Sequence, residues 1–230
     1  MSDSRSLDIR HDVTCTDEAA AHWLHQFGID APIASSGPIS VCMQSSESLL
    51  LDYDGMRLSL GQAGAFKKWY THLPWPHPLL KIVKKLFQQE DHLTIHDATC
   101  GLGRDSLLIA LYIHAHAPNG RLISYEQNPL CAALAAWQSQ AFPRWQVIHA
   151  PFQQCESATH VLIDPMFPPH PKTALPNKYS QMLQQLTARD HLSDGPCLIA
   201  HGKSIGAHWL CVKQPPWEKK VLWQIQNSFF

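Results

Sequence analysis

The sequence predicts an α/β fold: a mostly parallel, Rossmann-like sheet with crossover helices, preceded by a small N-terminal α+β lobe. Three observations lead there. Strand-like and helix-like patterns alternate beyond residue 91, as successive βα units require. A glycine-bearing turn, HDATCGLGRD from His96 to Asp105, lies between the strand-like Leu93 and Ile95 and the helical pattern Leu107, Leu108, Leu111. Before residue 66 the chain instead carries one short helical pattern and several β-like pieces joined by turn residues. At 230 residues, 45% of them hydrophobic, it can bury a full core and has room for one such domain with an N-terminal addition, but not for a second catalytic domain.

Taken in order, residues 1 to 15 read as loosely attached. Ala20, Trp23, Leu24 and Phe27 make one helical face over 17 to 27, with Thr16 or Asp17 as cap and Gly28 as stop. The runs 39–43, 49–53 and 56–60 read as strands, with Asp54-Gly55 a hairpin turn. Prolines 74, 76 and 78 mark a rigid connector leading into a helix from 79 to 88. Strands are then expected near 93–97, 121–125, 145–149, 159–163 and 196–200, with helices at about 104–115, 129–141 and 177–190. The stretches 207–213 and 220–227 read as a closing antiparallel hairpin. This divides the chain into a lobe (1–66), a connector and helix (67–90) and the sheet domain (91–230).

The glycine turn is where chemistry begins. Gly101 and Gly103 stand where a strand hands over to a helix, and residues without side chains let backbone N–H groups approach a ligand at the helix's positive end. Glu126 closes the next strand, about twenty residues on, where an acid accepts from ribose hydroxyls. Asp164-Pro165-Met166-Phe167-Pro168-Pro169 follows the strand pattern His160 to Ile163. Methyltransferases acting on exocyclic amines carry an Asn/Asp-Pro-Pro-aromatic turn at this place, and here Met166 replaces the second proline. Together these features favour an S-adenosylmethionine-dependent methyltransferase of class I layout over a dehydrogenase.

Composition narrows the classes. Seven scattered cysteines without a Cys-x-x-Cys pair suggest neither a disulfide framework nor zinc, and read as reduced thiols in a cytoplasm. Fifteen histidines form no metal-ligand pattern, so no metal is expected. The start lacks the basic-then-apolar order of a signal peptide and no run is long enough for a membrane span, so a cytoplasmic protein without membrane contact is expected. A net charge of -1 argues against a generally nucleic-acid-coating surface but allows local patches. Lys67, Lys68, Lys81, Lys84 and Lys85 precede the core, Lys172 and Lys178 flank the acid-proline turn, where a loop beside a target base passes phosphates, and Lys213, Lys219 and Lys220 lie near the C-terminus.

DATCGLGRD, YEQNP at 125–129, DPMFPPHPKTAL at 164–175 and VKQP at 212–215 resemble the RsmJ family, bacterial enzymes that methylate N2 of a guanine in 16S ribosomal RNA. The resemblance runs from about 93 to 216. It implies cofactor contacts by Arg104 and Asp105 in the turn, Glu126 and Gln127 after the second strand, and Asp164. It also implies 16S RNA or the small ribosomal subunit as partner. Gln127 stands where the family usually has Arg, Pro151-Phe152 where small hydroxyl residues usually sit, and Trp69 to Pro76 where a basic, Gly-rich stretch is expected.

Within that frame Asp164 and the Pro165 carbonyl accept from the acceptor amine, and Phe167 either stacks on a flipped base or packs beneath the loop. Asp97 either organises donors around the cofactor's amino group or caps N–H groups of the turn. Arg104 is either a partner for the cofactor carboxylate or an exposed first-turn residue, and Asp105 suits a helix N-terminus on dipole grounds alone. Two further readings stay open: methylation of another nitrogen, such as adenine N6 or a protein glutamine, and a non-catalytic cofactor- or RNA-binding module.

Overall fold

The computed structural model describes residues 12–34, 37–45, 48–61, 77–166, 178–187, 195–215 and 223–227. At the N-terminal side β1 (Val13–Cys15), β2 (Ile39–Ser45), β3 (Ser48–Tyr53) and β4 (Met56–Gly61) form one sheet in that order, with α1 (Glu18–His25) beside it. Asp17 caps α1, accepting from the Ala20 N–H at 2.8 Å through one oxygen and from the Met43 N–H at 2.8 Å through the other. The β3–β4 hairpin turns on Asp54 and Gly55, whose φ angles of 46° and 77° suit a tight two-residue turn. The expectation of a loose start fails at β1: Val13 and Cys15 are fully buried and the strand pairs in parallel with β2. A three-residue strand is too short to show a period, so only its distant partner reveals it.

The second sheet has the order β10-β9-β8-β5-β6-β7. Its strands are β5 (Thr94–Asp97), β6 (Arg121–Glu126), β7 (Trp145–His149), β8 (His160–Ile163), β9 (Trp209–Lys213) and β10 (Trp223–Asn227), all parallel except the β9–β10 pair. β8 is buried at every position, as a strand covered on both faces must be. The helices are α2 (Pro78–Gln89), α3 (Arg104–His116), α4 (Pro129–Ser139), α5 (Lys178–Leu186) and α6 (Gly195–Ser204). The chain runs outward through β5, β6 and β7, then returns to the other side of β5 with β8. That reversal opens a crevice at the carboxyl ends of β5 and β8, where such sheets take ligands.

One expected strand is a helix. Residues 196–200 belong to α6, and the fifth parallel strand is β9, which also forms the expected antiparallel pair with β10. A short apolar run fits a buried helix as well as a strand, and the parallel crossover from β8 to β9 needs a helix. Gly202 lets α6 lie close on the sheet, since a Cβ there would meet Leu210 at 2.8 Å. The prolines 74 and 76, with Trp69 to Trp75, lie outside the described residues, whereas Pro78 opens α2 as a first-turn proline.

The lobe and the sheet domain meet at α4. Leu24, Leu49 and Leu51 of the lobe share one buried cluster with Leu130, Leu134 and Trp137 of α4 and Met182 and Leu186 of α5. The Trp23 indole donates to the Ala133 carbonyl at 2.9 Å. Among the described residues no helix is long and apolar enough to cross a membrane, and no group of three or more His, Cys, Asp or Glu could hold a metal ion.

Candidate active site

The carboxyl ends of β5, β6 and β8 each present an acid: Asp97, Glu126 and Asp164. Between the first two runs the glycine turn. Gly101 and Gly103 have φ angles of 55° and 81°, a region that suits residues without a Cβ, and Gly103 is the N-cap of α3. The Gly101 N–H donates to Glu126 Oε2 at 2.7 Å, and the Asn128 N–H donates to Oε1 at 2.8 Å. Glu126 is thus a clamp that joins the turn to the start of α4. A carboxylate has about four acceptor positions, so these two bonds leave it able to accept from a ligand's hydroxyls.

Asp97 is 2% exposed. Its Oδ1 accepts from the Thr99 N–H at 3.0 Å and its Oδ2 from the Ser106 hydroxyl. Ser106 is in turn 2.9 Å from Ser124 Oγ, which accepts from the Trp145 indole at 2.9 Å. Burial pushes the Asp97 carboxyl up to about 6, against the lowering effect of the Ser106 and Thr99 bonds. Of its two sequence readings, the capping one is therefore realised in the turn itself.

Thr99 links the first strand end to the third. Its hydroxyl accepts from the Asp164 N–H at 2.7 Å and lies 3.4 Å from Asp97 Oδ1. The Asp164 side chain meets Lys213, at the end of β9, in a direct ion pair, and Lys213 also reaches Asp105 Oδ2 at 3.4 Å. Burial raises the Asp164 carboxyl, Lys213 pulls it down and Asp105 pushes it up again, leaving it above the ordinary range. For Lys213 burial alone would lower the ammonium, but the two carboxylates more than reverse this and hold it charged.

Arg104 is exposed, with its guanidinium 5.6 Å from the centroid of the Tyr179 ring, while its N–H donates to the Tyr179 hydroxyl at 3.3 Å. His77, the N-cap of α2, lies within electrostatic reach of Asp105, Arg104 and Lys213. Burial holds its imidazole below the ordinary value, and its Nδ1 is buried without a hydrogen-bond partner among the described residues. Gln127 is half-buried, and its carbonyl lies 3.3 Å from the His149 ring.

The structure gathers Asp97, Gly101, Gly103, Arg104, Asp105, Glu126 and Asp164 at one end of the sheet, with Gln127 next to Glu126 and Pro165 half-buried next to Asp164. Phe167 and Lys172 lie outside the described residues, and Lys178 is the first residue of α5. Sequence reasoning gave no site role to Thr99, Tyr179, His77 or Lys213. For Lys213 the available signal was VKQP, a charge closing an otherwise apolar strand.

Comparison with known proteins follows the same lines. No family model matches the chain. It is 30% identical over 144 residues to the ribosomal RNA small subunit methyltransferase J of Alcanivorax borkumensis, covering 59% of this chain and 56% of that one. It is 33% identical over 135 residues to the protein of the same name from Cronobacter sakazakii, covering 52% and 51%. Over that stretch the chain is similar to the RsmJ proteins. It spans about half the length of the curated relatives it matches. The crystal structure of a SAM-dependent methyltransferase from Neisseria gonorrhoeae superposes with a TM-score of 0.64 over 95% of this chain and 96% of that one, at 16% identity. The fold is therefore that of a class I methyltransferase. At one departure from the RsmJ pattern, Phe152 is 2% exposed and packs edge-on against Tyr125 and His201, so it fills core space there.

Proposed function

We propose that this chain binds S-adenosylmethionine at the carboxyl ends of β5 and β6 and methylates the exocyclic N2 of a guanine in 16S ribosomal RNA of the small subunit. The carrying observation is that Glu126 grips the positive-φ glycine turn while Asp164, tied to the same turn through Thr99, stands across the crevice between β5 and β8. In this reading residues 91–230 are the methyltransferase domain, 1–66 a lobe packed on α4, and 67–90 the connector and helix.

The residues fit a cationic cofactor. Asp97, Asp105, Glu126 and Asp164 set four carboxyl groups at the crevice against Arg104 and Lys213, a balance that favours a sulfonium over an anionic dinucleotide. Glu126 accepts from the ribose, while Arg104, Asp105 and Gln127 line the remainder. Bound there, S-adenosylmethionine supplies a methyl carbon whose bond to sulfur breaks, the pair staying on sulfur, as the acceptor's lone pair makes the new N–C bond. Asp164 and the Pro165 carbonyl accept hydrogens of the acceptor amine, which frees its delocalised lone pair, and Asp164 takes the proton the nitrogen sheds. Phe167 stacks on the base, and Lys172 and Lys178 meet RNA phosphates.

The test is transfer from labelled cofactor to small-subunit particles that lack the modification, followed by mass spectrometry of nucleosides and peptides. N2-methylguanosine is expected. Label on adenine N6 or on a glutamine would replace the acceptor, and cofactor binding without transfer would leave a binding module.

A further inference from the structure

Lys213 connects two side chains that come from opposite walls of the crevice. It ends β9, and the pairing of Ile163 with Val212 sets it beside Asp164, the residue that follows β8. Its ammonium contacts Oδ2 of Asp164 directly and Oδ2 of Asp105, in the first turn of α3, at 3.4 Å. All three side chains are less than a third exposed, at 27% for Lys213, 26% for Asp164 and 18% for Asp105.

We propose that Lys213 is a positioning residue: by bridging Asp164 to Asp105 it favours the ionised Asp164 carboxylate over the protonated form and turns it so that Oδ1, the oxygen outside the bridge, receives a hydrogen of the nitrogen being methylated. This role rests on Asp164 being the group that serves the acceptor nitrogen. Two carboxylates this close in a partly dry site resist joint ionisation, and without a cation between them one holds a proton at neutral pH. A protonated Asp164 is a weaker acceptor and no base. A single ammonium between the two weakens that competition and shifts Asp164 towards its ionised form.

The neighbouring groups do not duplicate the role. Arg104 from α3 is placed over the Tyr179 ring of α5. His77, at the start of α2, is kept neutral by burial and brings no second cation. Asp97 from β5 adds further negative charge near Asp105. A buried ion pair contributes little to net stability, so a purely structural role would not account for a lysine here.

Lys213→Gln removes the charge and Lys213→Arg keeps it. Two measurements on the full chain decide the matter: carboxyl NMR titration of aspartate-labelled protein, which needs no turnover, and the pH profile of methyl transfer to small-subunit particles. In Lys213→Gln the titration of Asp164 should rise by about one pH unit or more from its wild-type value of about 7, and transfer at about pH 6, below both titrations, should fall about tenfold or more, the factor one unit carries. The loss should lie in kcat, with the KM for S-adenosylmethionine unchanged, and should shrink as the pH is raised. Lys213→Arg should keep the wild-type profile. An unmoved carboxyl titration in folded Lys213→Gln, or a loss equal at every pH, overturns the role. If the wild-type protein transfers no methyl group, the functional reading fails instead, and the NMR titration still decides whether Lys213 sets the ionisation of Asp164.

Discussion

Replacing Asp97 with Asn should make the ligand-free protein more stable above pH 6, although Asp97 sits at the start of the glycine turn. Its carboxyl is raised from the ordinary 3.8 to about 6, with burial the main cause. A group whose folded pKa is raised binds protons more tightly in the native state. Its contribution to stability is therefore fully present below about pH 4 and is lost as the pH rises to about 6. At about 1.4 kcal/mol per unit, the ionised side chain costs the native state roughly 3 kcal/mol at neutral pH. Asn removes that cost and still accepts from the Thr99 N–H. It cannot accept from Ser106, so the hydroxyl pair must reverse and one partner is lost, at about 1 kcal/mol. A net gain of roughly 2 kcal/mol should remain at pH 7, shrink as the pH falls, and become a loss approaching about 1 kcal/mol below about pH 4, where only the lost hydrogen bond counts. Urea unfolding of both proteins between pH 4 and 8 reads it directly. A stability difference independent of pH, or an Asn variant weaker throughout, would refute the assignment of a strained, buried charge.

Other expectations follow from the same geometry. Glu126→Ala leaves the Gly101 and Asn128 N–H groups without their acceptor, so it should lower stability by about 1 to 3 kcal/mol in urea and also weaken S-adenosylmethionine in calorimetry; unchanged affinity in a folded variant rejects the ribose role. Asp164→Asn should slow methyl transfer by about a hundredfold or more while cofactor affinity changes far less. Loss of both together would move Asp164 into the cofactor's surroundings. Neutralising Lys172 and Lys178 should raise the KM for RNA and flatten its salt dependence, and an unchanged salt slope would make them ordinary surface charges.

Much of this fold was legible because local chemistry and global need coincide. Asp54-Gly55 specifies its turn, Asp17 its cap, and the period of the patterns beyond residue 91 separates strands from helices at β5 to β8 and at α3 to α5. Gly101, Gly103, Glu126 and Asp164 could be placed because a ligand at a strand end imposes constraints within a few residues. What stayed hidden depends on distant chain. β1 exists because β2 lies next to it, α6 because β8 and β9 must be joined by a crossover, and the weight of Lys213 because two acids far away in sequence converge on it. Thr99 is the same case, an unremarkable hydroxyl until Asp164 is folded against it.

The helix α4 has no exposed residue: the sheet lies under one side of it and the lobe covers the other. A protein built this way has no seam along which it can be divided by recombination or truncation. Cutting away the first 66 residues would bare the Ala- and Leu-lined back of a helix whose leading end starts at Asn128, two residues from the Glu126 clamp. The glycine turn would then hang from an element with one face in water. The small N-terminal sheet, which contributes no residue to the proposed chemistry, has therefore to be inherited together with the second sheet and its helices as a single cooperative unit.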